Sequence, residues 1–161
     1  YIINRCGVVA GPWQMGKIDQ GIITYWLSSH IYKTKLKYIG YSGSGKQVRD
    51  ILHINDLCDL IDKQIDNWSK IDSQVFNIGG GKKNSLSLVE LTTLVNQITG
   101  IKLPISKDNN KRSGDIRIFI TDNKKIENIL GWKPILSAEK IVIDTFKWII
   151  NNKNELKEIL K

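Results

Sequence analysis

Apolar and polar residues alternate between short β-like runs and helical periods along most of the chain. "YIINRCGVV" at 1–9 is an apolar, β-branched run that ends at Gly11-Pro12, a turn signal, so it predicts a buried strand. Residues 19–33, "DQGIITYWLSSHIYK", carry apolar side chains at helical spacing, with Asp19 placed to cap. "KLKYIGY" at 35–41 predicts a short strand, and "VRDILHI" at 48–54 alternates with period two. Asn55 can cap an amphipathic helix over 56–68, which places Leu57, Leu60, Ile61 and Ile65 on one face. "SQVFNIGGG" is a strand breaking into three glycines. "SLSLVELTTLVNQITG" predicts a helix with Ser87 and Glu90 as a capping box and Gly100 as its stop. "IRIFITD" predicts a strand, "NKKIENILGW" a short helix and 137–160 one long final helix. Strands and helices alternate, so the class is α/β, with no internal repeat and no linker.

Composition narrows the partners. The chain has 161 residues, enough for one domain with a core, and 41% of them are hydrophobic, which excludes a disordered chain. The formal charge of +8 suits an anionic partner: nucleic acid, a membrane surface or a phosphorylated small molecule. The basic residues are dispersed rather than clustered, which argues against nucleic acid. Cys6 and Cys58 form no disulfide framework, and His30 and His53 lie too far apart for a zinc motif. Reduced thiols of a cytoplasmic protein are the simplest expectation. No apolar run reaches the ~18 residues of a membrane span, and no signal peptide is read. Tyr1 opens directly into a strand, so the chain is expected to continue a longer protein upstream.

The candidate chemistry starts at "GYSGSGKQVRD", residues 40–50. Gly40, Gly45 and Lys46 fit the opening of a phosphate-binding G-x-x-x-x-G-K loop, but Gln47 replaces the hydroxyl that would hold Mg²⁺. Such a loop must also lead into a helix, whereas 48–54 has strand periodicity. Two readings remain: a tight turn between strands, or a turn that delivers Arg49 to an anionic ligand. "KRSGDIR" at 111–117 supports the second, because it sets Arg112 three residues before Asp115. Arginine forks onto phosphate oxygens, and a carboxylate can accept both hydroxyls of a ribose. Two separated arginines of this kind suit a nucleoside diphosphate.

Four segments, in order, resemble the C-terminal half of the extended short-chain dehydrogenase/reductase family, the NAD-dependent nucleotide-sugar epimerases and dehydratases. "NRCGVVAGPWQ" is similar to the family's R-x-x-N-x-Y-G-P-x-Q segment. "GSGKQVRDILHINDLCDLI" is similar to its G-x-G-x-Q-x-R-D-x-x-H-V-x-D segment, the most specific of the four. "VFNIGGGKKNSLSLVEL" and "RSGDIRIFITDNKKIENILGWKP" resemble its N-I-G-G-G and R-x-G-D-x-R runs. The D-Q-G at 19–21 and the run N-S-L-S-L-x-E-L look most like the members that invert C2 of a CDP-linked sugar; UDP-sugar 4-epimerases and dTDP- or CDP-hexose dehydratases share most of the rest, and a non-catalytic nucleotide-binding module is the reading of another class.

The resemblance implies a Rossmann-type α/β fold with a small α/β substrate-binding domain. Residues 1–16 and 49–80 would belong to the cofactor side, and 17–48 and 81–161 mainly to the substrate side. It implies a nucleotide-sugar ligand, CDP-sugar favoured, with Arg49 and Arg112 on the diphosphate and Asp115 near the ribose. Gln20 would reach the phosphate by its amide and Gly21 by its backbone. Ile39, Gly40 and Tyr41 would flank the base through main-chain atoms. Cys6, Gly7 and Val8 would lie beside the nicotinamide of NAD. The family often carries Asn where this chain has Val8 and Tyr where it has Ala10, so polar contact at Val8 is lost. His53 is expected to be structural. The implied chemistry is transient oxidation of a sugar carbon by NAD. Neither the Y-x-x-x-K pair nor the G-x-x-G-x-x-G loop occurs in the sequence, so no catalytic residue is expected in this chain. Both motifs are expected upstream, and the chain is expected to be inactive alone. A homo-oligomer is expected for the whole protein, with no metal, nucleic acid or membrane.

Overall fold

Gly7 decides how the first run is used. The computed structural model describes residues 1–18, 20–109 and 114–160. In it, the single strand expected over 1–9 becomes two, β1 (Ile2–Cys6) and β2 (Val8–Ala10). β1 pairs in parallel with β5 (Gln74–Ile78), and Gly7 N–H closes that ladder on Ile78 O at 2.8 Å. β2 then pairs in parallel with β4 (Val48–His53). A Cβ at Gly7 would stand 2.9 Å from Thr121 Oγ1 and 3.5 Å from Asp50 Oδ1. Only a residue without a side chain lets the chain cross there.

β4 is the hub of the larger sheet. Besides β2 it pairs antiparallel with β6 (Ser85–Ser87) and parallel with β8 (Ile118–Phe119). β3 (Leu36–Ile39) and β7 (Ile105–Asp108) form a separate parallel pair. β7 shows no alternation strong enough to read from sequence; pairing with β3 makes it a strand. Only two residues of the run expected at 116–122 are strand.

The helices follow their caps. α1 (Ile22–Tyr32) starts at Gly21, whose φ of 68° is left-handed; Asp19 lies outside the described residues. α2 (Ile54–Asp66) is capped by His53 rather than Asn55, with His53 Nδ1 accepting Asn55 N–H at 3.0 Å. Of its four expected core residues only Leu60 is buried; Ile61 and Ile65 face outward. A single turn, α3 (Trp68–Ile71), follows. α4 (Leu88–Thr99) carries the expected capping box: Glu90 N–H donates to Ser87 Oγ at 3.2 Å, and Ser87 N–H donates to Glu90 Oε2 at 2.7 Å. Gly100, left-handed, ends it. After α5 (Lys124–Leu130), the expected long final helix is broken at Asn152 into α6 (Ala138–Asn151) and α7 (Lys153–Leu160). Trp148 O accepts both the Asn152 backbone N–H at 3.2 Å and Asn152 Nδ2 at 2.8 Å, which closes the last turn of α6.

Two hydrophobic clusters lie on either side of β4. Ile51 belongs to the larger, with Trp26, Leu27, Val95 and Ile141. Leu52 belongs to the smaller, with Leu60, Phe76, Ile126 and Trp132. His53 ends β4 with Nδ1 used as an acceptor, so its proton sits on Nε2, 3.4 Å from Asp144 Oδ2 without hydrogen-bond alignment. Burial pushes the Asp144 carboxyl up, but its bonds to Lys140 and the Lys140 charge outweigh this and hold it below its ordinary value.

Thr92 fastens α1, α4 and β3 together. Its hydroxyl donates to Leu88 O at 2.7 Å and accepts from Trp26 Nε1 at 2.9 Å and from Tyr38 OH at 2.8 Å. One donor and two lone pairs are all used. The Trp26 and Tyr38 rings stack at 6.1 Å with 16° between planes.

Thr92→Val keeps the shape and strips the acceptor from two donors. It should cost about 2 kcal/mol in urea unfolding, while Thr92→Ser stays close to the parent. The capping box predicts a pH effect. Hydrogen bonds from the Ser87 side chain and backbone hold Glu90 below its ordinary pKa of 4.5. Its contribution is therefore complete above that value and is lost as pH falls through the lowered one. A pH series of unfolding midpoints should show this loss, and Glu90→Gln should flatten it.

Candidate substrate pocket

Strand alternation places Gln47, Arg49 and Ile51 on one face, and that face walls a pocket of about 430 Å³. The opposite wall comes from the entry of α1, with Gln20, Gly21 and Ile22, and from Trp26. Lys35, Lys37 and Ile39 of the β3 segment line one side; Leu86, Ser87 and Leu88 line the β6–α4 junction. Val8 and Asp115 also line it. The lining is mostly apolar with a few convergent polar groups, the usual character of a small-molecule site.

Those polar groups are already organised. Arg49 Nη2 donates to Asp115 Oδ1 at 3.0 Å, and Arg49 Nη1 donates to Val48 O at 2.8 Å. The pair is partly shielded, with side-chain exposures of 30% for Arg49 and 15% for Asp115. Gln47 Nε2 donates to Ile39 O at 2.7 Å and to Asp115 Oδ2 at 3.3 Å. Tyr41 OH donates to Asp115 O at 2.8 Å. Asp115 is thus held at both carboxylate oxygens and at its backbone carbonyl. Both partners of Gln47 Nε2 are acceptors, so its amide orientation is fixed, and Gln47 Oε1 is buried with no partner among the described residues.

Of the residues expected at the site, Val8, Gln20, Gly21, Ile39, Arg49 and Asp115 line this pocket. Gly40 is buried behind it, and Tyr41 faces an adjoining cavity. Cys6 and Gly7 lie at the strand crossover next to Val8. Arg112 falls outside the described residues. The segment after Lys46 is strand, so the loop is not a P-loop. Gln47 was read only as the wrong residue for a P-loop; it is the residue that pins Asp115. A position two before Arg49 in a strand shares its face, and that spacing could have found it. Lys35, Lys37 and Trp26 carried no such signal. Among the described residues no three His, Cys, Asp or Glu gather as a metal site, and no helix is long and apolar enough to cross a membrane.

The half-shielded ion pair should be measurable by itself. A double-mutant cycle with Arg49→Met and Asp115→Asn should return a coupling of about 1 kcal/mol in unfolding free energy, weakening with added salt.

Residues 1–79 match the family model described as "NAD dependent epimerase/dehydratase family". The chain is 36% identical over 154 residues to CDP-paratose 2-epimerase of Salmonella typhi, covering 91% of this chain and 44% of that protein. Its fold is similar to the crystal structure of UDP-glucose 4-epimerase from Thermotoga maritima with UDP-glucose, with TM-score 0.80, 26% identity, and coverage of 95% of this chain and 47% of that one. UDP-glucuronic acid 4-epimerase from Bacillus cereus, solved with UDP-glucuronic acid and NAD, shares the fold at TM-score 0.81 and 21% identity, over 93% of this chain and 45% of that one. The chain therefore spans about half the length of the relatives it matches.

Proposed function

This chain belongs to the NAD dependent epimerase/dehydratase family, and from that premise we propose that it is the nucleotide-sugar-holding half of an NAD-dependent epimerase, acting on CDP-paratose at C2. The observation that carries the reading is Arg49 and Asp115, held by Gln47 and Tyr41, in a pocket of about 430 Å³. Arg49 has one guanidinium nitrogen on Asp115 and one on Val48 O, and it keeps further N–H groups for a diphosphate. Asp115 then serves the ribose. Gln20 and Gly21 in the wall opposite β4 reach the phosphates, and Ile39, backed by Gly40 and Tyr41, borders the base. Arg112 is proposed as the second cation on the diphosphate. The choice of CDP-paratose rests on the 36% identity to CDP-paratose 2-epimerase across 91% of this chain.

NAD, when bound, supplies reversible oxidation of the sugar carbon. The crossover fits its nicotinamide end. Gly7 has no room for a side chain, and Val8 presents an apolar wall that opens into the same pocket as Arg49. Cys6 and Gly7 flank that wall. We assign 1–16 and 49–80 to the cofactor side and 17–48 and 81–161 mainly to the substrate side. The chain's own contribution is orientation: it holds the nucleotide so that the sugar lies against Val8. It brings no acid–base pair for the reacting carbon and does not turn over alone.

Incubation of the full-length protein with CDP-paratose and NAD should invert C2 of the sugar. Inversion of a UDP-hexose at C4 with CDP-paratose untouched would favour instead the UDP-sugar reading that the Thermotoga maritima structure supports. Arg49→Ala should weaken CDP-sugar binding by about 1–3 kcal/mol in calorimetric titration. Unchanged affinity would remove Arg49 from the site.

A further inference from the structure

Lys46, the residue that gave the glycine loop its resemblance to a P-loop, points away from the substrate pocket. Gln47 faces that pocket, and Lys46 lines a second, open cavity of about 390 Å³ with Tyr41, Ser42, Ser44 and Arg117. The two cavities share no lining residue. They meet at the Gln47 strand and at Asp115, whose carbonyl accepts the Tyr41 hydroxyl.

The wall of this second cavity is built of donors. Lys46 and Arg117 form no ion pair among the described residues, and no carboxylate lines the cavity. Ser44 Oγ accepts Lys46 N–H at 3.4 Å, which leaves its own O–H to donate outward. Tyr41 OH is spent on Asp115 O, so its oxygen remains only as an acceptor for a protonated ligand oxygen. The loop that carries these groups is tightly turned: Tyr41, Ser42, Gly43 and Gly45 have φ of 47°, 57°, 64° and 66°. Gly43 N–H donates to Gly40 O at 2.9 Å and Ser44 N–H to Tyr41 O at 3.2 Å, so the turn closes on itself and the donors that face the cavity are side chains. The two cations come from opposite sides. Lys46 enters β4, and Arg117 lies beside it through the Val48 N–H to Arg117 O bond of 2.9 Å.

We propose that this cavity is a second anion site, which takes a tetrahedral oxyanion: inorganic phosphate or the terminal phosphate of a monoester. A lysine and an arginine balance a dianion, Ser42 and Ser44 supply neutral donors, and among the described residues no carboxylate lines the wall. The site is distinct from the Arg49 pocket and does not rest on the nucleotide-sugar reading.

The test is an amide NMR titration of the full-length protein with inorganic phosphate at constant ionic strength. Glucose 1-phosphate is the monoester arm, and sodium chloride the screening control. Saturable shifts at Ser42, Ser44 and Lys46 are expected. Stronger saturation by one of the two phosphates identifies which source the site selects. Lys46→Gln and Arg117→Gln should each weaken binding about tenfold, the worth of one charge-assisted hydrogen bond, while Arg49→Met leaves it unchanged. Both altered side chains are exposed, so the variants keep the fold. A linear drift that chloride reproduces, or shifts that disappear in Arg49→Met, would overturn the proposal.

Discussion

Ile51 and Leu52 are neighbours in the chain and belong to different hydrophobic clusters. Side chains alternate across a strand, so a strand with apolar residues on both faces must be packed from both sides. β4 meets that demand with α1, α4 and α6 on one side and α2, β5 and α5 on the other. The same alternation puts Gln47 and Arg49 on the Ile51 face. The site is a consequence of how the strand is packed: the face that builds the larger core also opens, at its near end, into the pocket.

Arg49 occupies that opening under tension between two needs. A guanidinium that loses part of its hydration must find acceptors, and Asp115 and Val48 O provide them. Held in this way, it would give up little conformational freedom to an anion bound as proposed, the advantage of a preorganised site. Asp115 in turn cannot swing freely, because Gln47 and Tyr41 hold it from two further directions. The cluster behaves as one unit with one buried acceptor to spare, Gln47 Oε1.

The glycines of the 40–46 loop do different work from phosphate cradling in the first pocket. Gly43 and Gly45 have positive φ and sit against Lys107 and Tyr38, so the loop turns tightly between β3 and β4. The turn delivers consecutive residues to opposite faces: Lys46 to one cavity, Gln47 to the other. Lys46 and Arg49, three residues apart, thereby line separate concavities.

Local chemistry was legible wherever partners lie within a few residues. The Ser87–Glu90 capping box, the Gly100 stop, the strand at 48–53 and the failure of the P-loop all follow from spacing alone, because hydrogen bonds within one turn and period-two burial are local. Arg49 and Asp115 were legible as candidate ligands from their motifs, but their bond to each other spans 66 residues. The same distance in sequence hid the Thr92 node, the role of Gln47, the pairing that makes β7 a strand and the division of the first run at Gly7. The outward turn of Ile61 and Ile65 and the break at Asn152 also depended on what lies beside each helix. By itself, then, the sequence determined the order and type of most elements, several of their caps and the residues proposed to meet an anion. Tertiary structure alone decided which of them share a cavity, since contacts between distant segments depend on packing that no local pattern encodes.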